Sequence, residues 1–445
     1  MMTTSGAVGR ARGAKAGWRK GPPAVAKGIG GGTSARRKSS LAARAHQFAV
    51  SQTAKRSGGV TTHAAASPSY DAPSSVSGGT QLESLSKLSE IVRNSVVIDP
   101  AFEDGASFKS ASCSSAAAVT SRILLKVLRN PVGLRQYEQP IESALAYIEN
   151  TQPKEKESLG MVHCSLDKAM VNLGSLLSQQ VDGRVSTEVD ARFANDKDKI
   201  IEQVMYLSKL YDEVGVSNDR ILYRIPATWA GIEAAKVLEE RNLNTLMTLV
   251  CSFAQCVAAA EAGVSVVQLY VGRVRDWYKR HPNAIRNPDG PREDAGFASD
   301  VDPGHDLVFR CYNYLHKFHP KTKLMAGDIR TKEDALKIAG CDFIVLPPKI
   351  IKDLGTTPST LGYNDGLHAA AGEYPSDVPQ ALSPASALAS EFNDNRVKGY
   401  ENEAQFLQSV GECGRDLLQR SLQRYVDSFE QLEPYFTKIA GMRTN

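Results

Sequence analysis

From Gly183 onward the chain alternates short apolar runs with stretches whose apolar residues recur every three or four positions. That alternation restricts the fold more than any other feature of the sequence. Gly183 to Asp190 reads as a strand and Asp196 to Val214 as an amphipathic helix. Arg220 to Pro226 reads as a buried strand, closed by a proline with no N–H to donate, and Thr228 caps a helix from Trp229 to Glu240. Gly231, Ala234 and Ala235 let that helix sit close to a sheet. Strands at Leu246–Cys251, Val264–Val271, Lys323–Ile329 and Asp342–Leu346 follow. Helices at Phe253–Ala262, Gly304–Phe318, Lys332–Ala339 and Lys349–Leu354 separate or follow them. Repeated βα units of this length demand a parallel sheet. About eight of them predict an α/β fold, a (β/α)8 TIM barrel with extra N- and C-terminal helices. An open doubly wound sheet is the alternative.

The earlier chain is less regular. Gln81 to Lys87 predicts a short helix and Glu90 to Ile98 the first strand. Ala116 to Leu128 fits a strand running into a helix, without deciding where one ends. Gln139–Glu149 and Glu157–Val181 have helical periodicity. Arg280 to Pro303 and Gly355 to Pro384 read as polar loops, and Glu401 to Ile439 as a long final helix. The expected divisions are 1–65 without a fold, 66–80 a Ser/Gly/Pro-rich linker, 81–400 the barrel and 401–445 a helix packed on it.

Charge sharpens this division. The first 70 residues hold 12 lysines and arginines and no acidic residue, so removing them from the net +4 leaves −8 on the rest. A basic, acid-free, Ala/Gly/Ser-rich leader has the composition of a transit peptide of plastid type. Localisation in a plastid stroma is therefore expected. A mildly acidic body argues against nucleic acid as the main partner. No apolar run reaches about 18 residues, so no membrane span is expected. Seven scattered cysteines without a C-x-x-C predict reduced thiols. No cofactor or metal is expected: the chain lacks GxGxxG after a strand, a Walker loop and HExxH, and its eight histidines lack zinc spacing.

In a barrel, chemistry sits at the C-terminal ends of the strands. Arg220-Ile221-Leu222-Tyr223-Arg224-Ile225-Pro226-Ala227-Thr228-Trp229 resembles the active-site strand of transaldolases, class I aldolase-type enzymes of the pentose phosphate pathway. Gly183-Arg184-Val185-Ser186-Thr187-Glu188-Val189-Asp190-Ala191-Arg192 resembles a second motif of that family. Gln268 to Tyr278 resembles its strand-loop motif, and Ser390-Glu391-Phe392 with the final helix resembles its C-terminal segment. The resemblance covers about Gln81 to Ile439.

What it implies is mixed. Arg224 stands where the family has the lysine that forms a Schiff base with a ketose phosphate. A guanidinium stays protonated and its lone pair is delocalised, so arginine cannot form that imine. Glu188 matches the glutamate that positions a catalytic water. An Arg224–Glu188 salt bridge is expected to fill the place of a substrate carbonyl. Asn94 falls where the family has an aspartate base, unless a shifted register supplies Asp99. Its second-strand asparagine falls near Ser112 or Cys113. Thr248 is kept, whereas Leu246 and Gln268 replace an asparagine and a serine. Arg273 and Arg330 match the phosphate-binding pair, although Asp328 replaces a small hydroxyl residue beside them. Lys349, at a strand's C-terminal end, is a candidate displaced lysine, and Lys323 starts its strand on the opposite face.

Three functions follow as expectations. One is a catalytically degenerate family member that retains weak sugar-phosphate binding. Another is an active transaldolase using a different lysine, converting sedoheptulose 7-phosphate and glyceraldehyde 3-phosphate. The third is a structural or interaction subunit. A homo-oligomer or a protein-complex partner is compatible with each.

Overall fold

The computed structural model describes residues 79–93, 114–151, 153–286, 296–359, 382–390 and 400–443. Asn94, Asp99, Ser112, Cys113 and the leader 1–65 lie outside the described residues. Eight parallel strands close into a barrel in sequence order. They are β1 (Glu90–Arg93), β2 (Ser114–Val119), β3 (Val185–Glu188), β4 (Ile221–Pro226), β5 (Thr245–Val250), β6 (Val266–Tyr270), β7 (Lys323–Gly327) and β8 (Phe343–Leu346). Closure is made by β1 against β8, with Glu90, Ile91, Val92 and Arg93 beside Phe343, Ile344, Val345 and Leu346. The expected barrel is the observed one, and the open sheet is excluded.

Alternation along each strand splits the side chains between two compartments. Val92, Ala116, Leu222, Leu246, Val266, Met325 and Val345 meet inside the cylinder. Their neighbours in sequence face the helices and join the main core. The helix Phe253–Glu261 is buried from Ala254 to Ala260, which its alanines permit. Thr228 caps the helix Trp229–Glu240 by accepting from Gly231 N at 3.0 Å. A Cβ on Gly231 would lie 2.2 Å from the Pro226 carbonyl oxygen, so only glycine allows this close approach of helix to strand.

Several boundaries differ from the sequence reading. The ambiguous Ala116–Leu128 region resolves at Thr120, which ends β2 and caps the helix Ser121–Arg129. The helix anticipated at Gln139–Glu149 extends over Pro131–Thr151 and takes Pro140 into its interior. Gly160, at φ 90°, divides Lys156–Leu159 from Met161–Ser178. Val271–Arg280, read as the loop part of a strand-loop motif, is a helix that begins directly after β6. Gly411, at φ 72°, breaks the final helical segment Glu403–Arg443. Pro384–Ala389 forms a short helix that the sequence reading did not assign. The six described cysteines are free and buried. No helix among the described residues is long and apolar enough to cross a membrane.

A buried charge cluster pins the end of β3. His163 places Nδ1 3.1 Å from Asp190 Oδ2 and Nε2 3.2 Å from Asp167 Oδ2, the second an ion contact rather than an aligned hydrogen bond. Gln203 donates to Asp167 at 2.9 Å and accepts from Asp190 N at 3.0 Å. Arg192 Nη2 pairs with Asp190 at 2.6 Å, and its Nη1 pairs with Glu433 on the final helix. Burial opposes the imidazolium, but Asp167 and then Asp190 outweigh it and push His163 up to about 10. Asp190 is also buried, yet His163 and Arg192 hold it below the usual carboxylate range.

This cluster sets a pH window. The His163 pKa is raised on folding, so its contribution is complete below about pH 6.5 and is lost as pH rises through about 10. Asp190 is depressed, so its contribution is present above the unfolded carboxylate pKa and is lost on acidification. Thermal unfolding across pH 6 to 10.5 should show Tm falling at the alkaline end. His163→Gln should cost about 3 kcal/mol near neutrality, because it removes the cation shared by two buried carboxylates and leaves Asp167 with only the neutral Gln203, and should flatten that alkaline slope.

Candidate active site

Inward positions stack in layers along the barrel axis. Leu222, Leu246 and Val266 form an apolar layer. Two residues further along their strands, Arg224, Thr248 and Gln268 form a polar layer above it, and Tyr270 follows on β6. Leu246, expected among the departures lining the site, pairs with Arg224 in the strand register and is fully buried in the interior cluster. Its strand reaches the site through Thr248. Beyond Met247 the pairing with β6 shifts register, and Leu249 takes a left-handed φ of 62°. A buried leucine in that region is strained by roughly 1 kcal/mol or more. Gln255 holds it by donating to the Leu249 carbonyl at 3.3 Å and to the Ala227 carbonyl at 3.0 Å.

Arg224 is 7% exposed. Its Nη2 donates to Gln268 Oε1 and, at 2.9 Å, to Tyr270 Oη. Thr248 Oγ1 donates to the same Gln268 oxygen at 3.1 Å and lies 2.8 Å from Tyr270 Oη. Tyr425, from the final helix, places its hydroxyl 3.3 Å from that of Tyr270. The Arg224 Nε–H is buried and has no partner.

Glu188 stands beside Arg224 in the strand register, yet the expected ion pair is not formed. The carboxylate turns to the start of the helix after β2 instead. Its Oε2 accepts from Ser121 N at 2.6 Å and from Ser121 Oγ at 2.8 Å, while Oε1 is buried and unpartnered. Two donors on one oxygen satisfy that side of the carboxylate without a cation. Burial pushes Glu188 up to about 7, against the opposing pull of Ser121 and Arg224. The group is thus poised to hold or release a proton near neutrality, as an acid or base in such a site must.

A cavity of about 260 Å³ opens over Arg224. Gln268, Tyr270, Arg273 and Tyr425 line it, with Arg122 and Lys126 from the helix after β2. Arg273 stacks its guanidinium 4.2 Å from the Tyr270 ring centre and donates to Ser421 Oγ at 2.9 Å. Of the two residues expected to bind phosphate, Arg273 lines the cavity and Arg330 lies against Gly272 beside it. Arg330 pairs with Asp328 at 3.1 Å and bonds Asp276, and it does not line the cavity. Asp328 lines the cavity in a left-handed conformation, with φ 58°. A Cβ on Gly272 would meet Arg330 Nε at 2.5 Å, so the glycine leaves room for this pairing.

Lys349, the candidate displaced lysine, does not line the cavity, and Lys323 sits at the start of its strand, as expected. Lys349 lies in the helix Pro348–Thr356, and Lys323 pairs with Asp342 at 3.6 Å at the start of β7. Arg122, Lys126, Tyr270 and Tyr425 on the cavity wall escaped the sequence reading, as did Ser121, which bonds Glu188. Tyr270 alone carried a local signal, two positions after Gln268 on one face of a strand.

Glu188→Gln tests the buried carboxyl. A glutamine oxygen still accepts from Ser121, but nothing is left to ionise. Glu188 is raised on folding, so wild-type stability is favoured below about pH 4.5 and lost as pH rises through about 7. At pH 8.5 the variant should exceed wild type by about 1 kcal/mol or more in denaturant unfolding, and the gap should close at pH 5.

The comparisons with known proteins agree with this geometry. The family described as Transaldolase/Fructose-6-phosphate aldolase matches residues 119–433. A probable transaldolase of Dictyostelium discoideum is 35% identical over 264 residues, 59% of this chain and 77% of its own length. Transaldolase A of Escherichia coli K12 is 38% identical over 238 residues, 54% of this chain and 70% of its own length. A transaldolase of Chlamydia muridarum is 35% identical over 238 residues, 54% and 68% of the two chains. With the matched segment running from the end of β2 into the final helix, the chain belongs to the Transaldolase/Fructose-6-phosphate aldolase family.

Proposed function

We propose that this chain is a transaldolase-like protein of pentose phosphate metabolism that binds sugar phosphates but has lost Schiff-base chemistry. The observation that carries this reading is Arg224, buried on β4 and bonded through Nη2 to Gln268 and Tyr270. Imine formation needs a neutral amine to attack the ketose carbonyl and then expel water. A guanidinium held charged by its chemistry supplies no such amine. What remains is a polar, cation-lined cavity suited to a phosphorylated polyol. The basic composition of residues 1–65 supports work in a plastid after removal of a leader.

One observation favours a second reading. Lys126 lines the same cavity, so an active enzyme with a displaced lysine has a definite candidate. Borohydride trapping separates the two. Protein lacking residues 1–65 is incubated with fructose 6-phosphate and borohydride, then weighed intact. No covalent adduct is the expected result, and an adduct mapped to Lys126 or another lysine would overturn the loss of chemistry.

Arg224→Lys provides the complementary test. It should restore an amine to β4 and yield a trapped adduct. Turnover of fructose 6-phosphate and erythrose 4-phosphate should stay low, because Leu246 supplies no polar group where the family resemblance expects an asparagine. The shortfall for one missing hydrogen bond to a sugar hydroxyl is roughly 10- to 100-fold.

A further inference from the structure

We propose that the cavity over Arg224 selects phosphorylated sugar acids, with the ligand carboxylate on Arg224 and its phosphate on Arg273. This rests on the reading above, that the cavity binds sugar phosphates, and names the class it prefers. The basis is an imbalance of charge. Among the described residues, Arg192, Arg275 and Arg330 each pair with two carboxylates. Arg224 and Arg273, both on the cavity wall, pair with none; Arg122 and Arg184 on the same wall pair with none either but are exposed to solvent.

For Arg224 the imbalance is severe. The residue is more than nine-tenths buried, its hydrogen-bond partners are a neutral amide and a phenol, and its Nε–H is unsatisfied. Glu188, the carboxylate nearest in register, gives Oε2 to Ser121 instead. A buried cation whose nearest carboxylate acts on it only without direct contact is costly, and an anionic oxygen brought by a ligand lowers that cost. A ketose would present a neutral carbonyl or hydroxyl there, which compensates no charge. An acid at the same end of the carbon chain does.

The second anchor sits at the right remove. Arg224 holds the Tyr270 hydroxyl, and Arg273 stacks on the face of the same ring. One tyrosine side chain therefore spaces the two guanidiniums, a separation that a short phosphorylated carbon chain bridges. Asp328 also lines the cavity, but its carboxylate is engaged by Arg330.

The test is calorimetric binding to the full chain of matched acid and alcohol pairs. These are 6-phosphogluconate against glucitol 6-phosphate, and 3-phosphoglycerate against glycerol 3-phosphate. The acid of at least one pair should bind roughly 10-fold or more tightly, the factor one charge-assisted hydrogen bond supplies. Arg224→Gln should erase the preference while alcohol binding persists, and Arg273→Gln should weaken acid and alcohol alike. Lys126→Gln should leave the preference in place, which separates Arg224 from the general positive field of the cavity. The wild-type ratio stands on its own should a variant not fold. Equal affinities within both pairs, or a preference that survives in Arg224→Gln, would overturn the assignment and leave sugar-phosphate binding intact. Failure of every one of these phosphates and of fructose 6-phosphate to bind would overturn both.

Discussion

A cation that never loses its proton, sealed inside a ring of eight strands, is the constraint around which this molecule is arranged. Arg224 cannot leave the interior, because its strand is hydrogen-bonded on both sides within a closed barrel. It cannot be neutralised at any ordinary pH. The surroundings answer with dipoles: the Gln268 amide oxygen, the Tyr270 hydroxyl and, through them, Thr248 and Tyr425. Dipoles make the charge tolerable without cancelling it, and that residue of uncancelled charge gives the cavity its chemical character.

The closest formal counter-charge, Glu188, is kept apart by a different preference. Two donors from Ser121 converge on one of its oxygens. Burial then favours the neutral carboxyl over an ion pair across the cylinder. Just beyond it, the His163, Asp190, Arg192 and Glu433 cluster fastens the end of β3 to the flanking helix and to the final helix. The site is thus stiff on the β3 side through charge, and on the β5 side through the strained, amide-held Leu249.

The barrel itself was legible because period-2 and period-3.6 patterns alternate cleanly from Gly183 onward. Arg224, Thr248, Gln268 and Arg273 were legible because they fall in motifs that resemble those of the transaldolase family. The helix Val271–Arg280 was obscured by its charges, though Val271, Val274 and Trp277 carried a three-residue spacing on its buried side. Arg330 matched a phosphate-binding position by resemblance, and its ion pairs with Asp276 and Asp328 are not written in its local sequence. Ser121 and Tyr425 reach the site from other elements, across sequence distances that no local pattern encodes.

Tyr425 and Ser421 also bear on how the molecule is made. Both sit on the final helix, and each touches a cavity residue that belongs to, or directly follows, β6. Every strand of the barrel is translated before them. During synthesis the cylinder can therefore close while its mouth still lacks one wall, and the nascent chain passes through an open-mouthed form. Ligand recognition is postponed by the order of translation itself until the last helix docks.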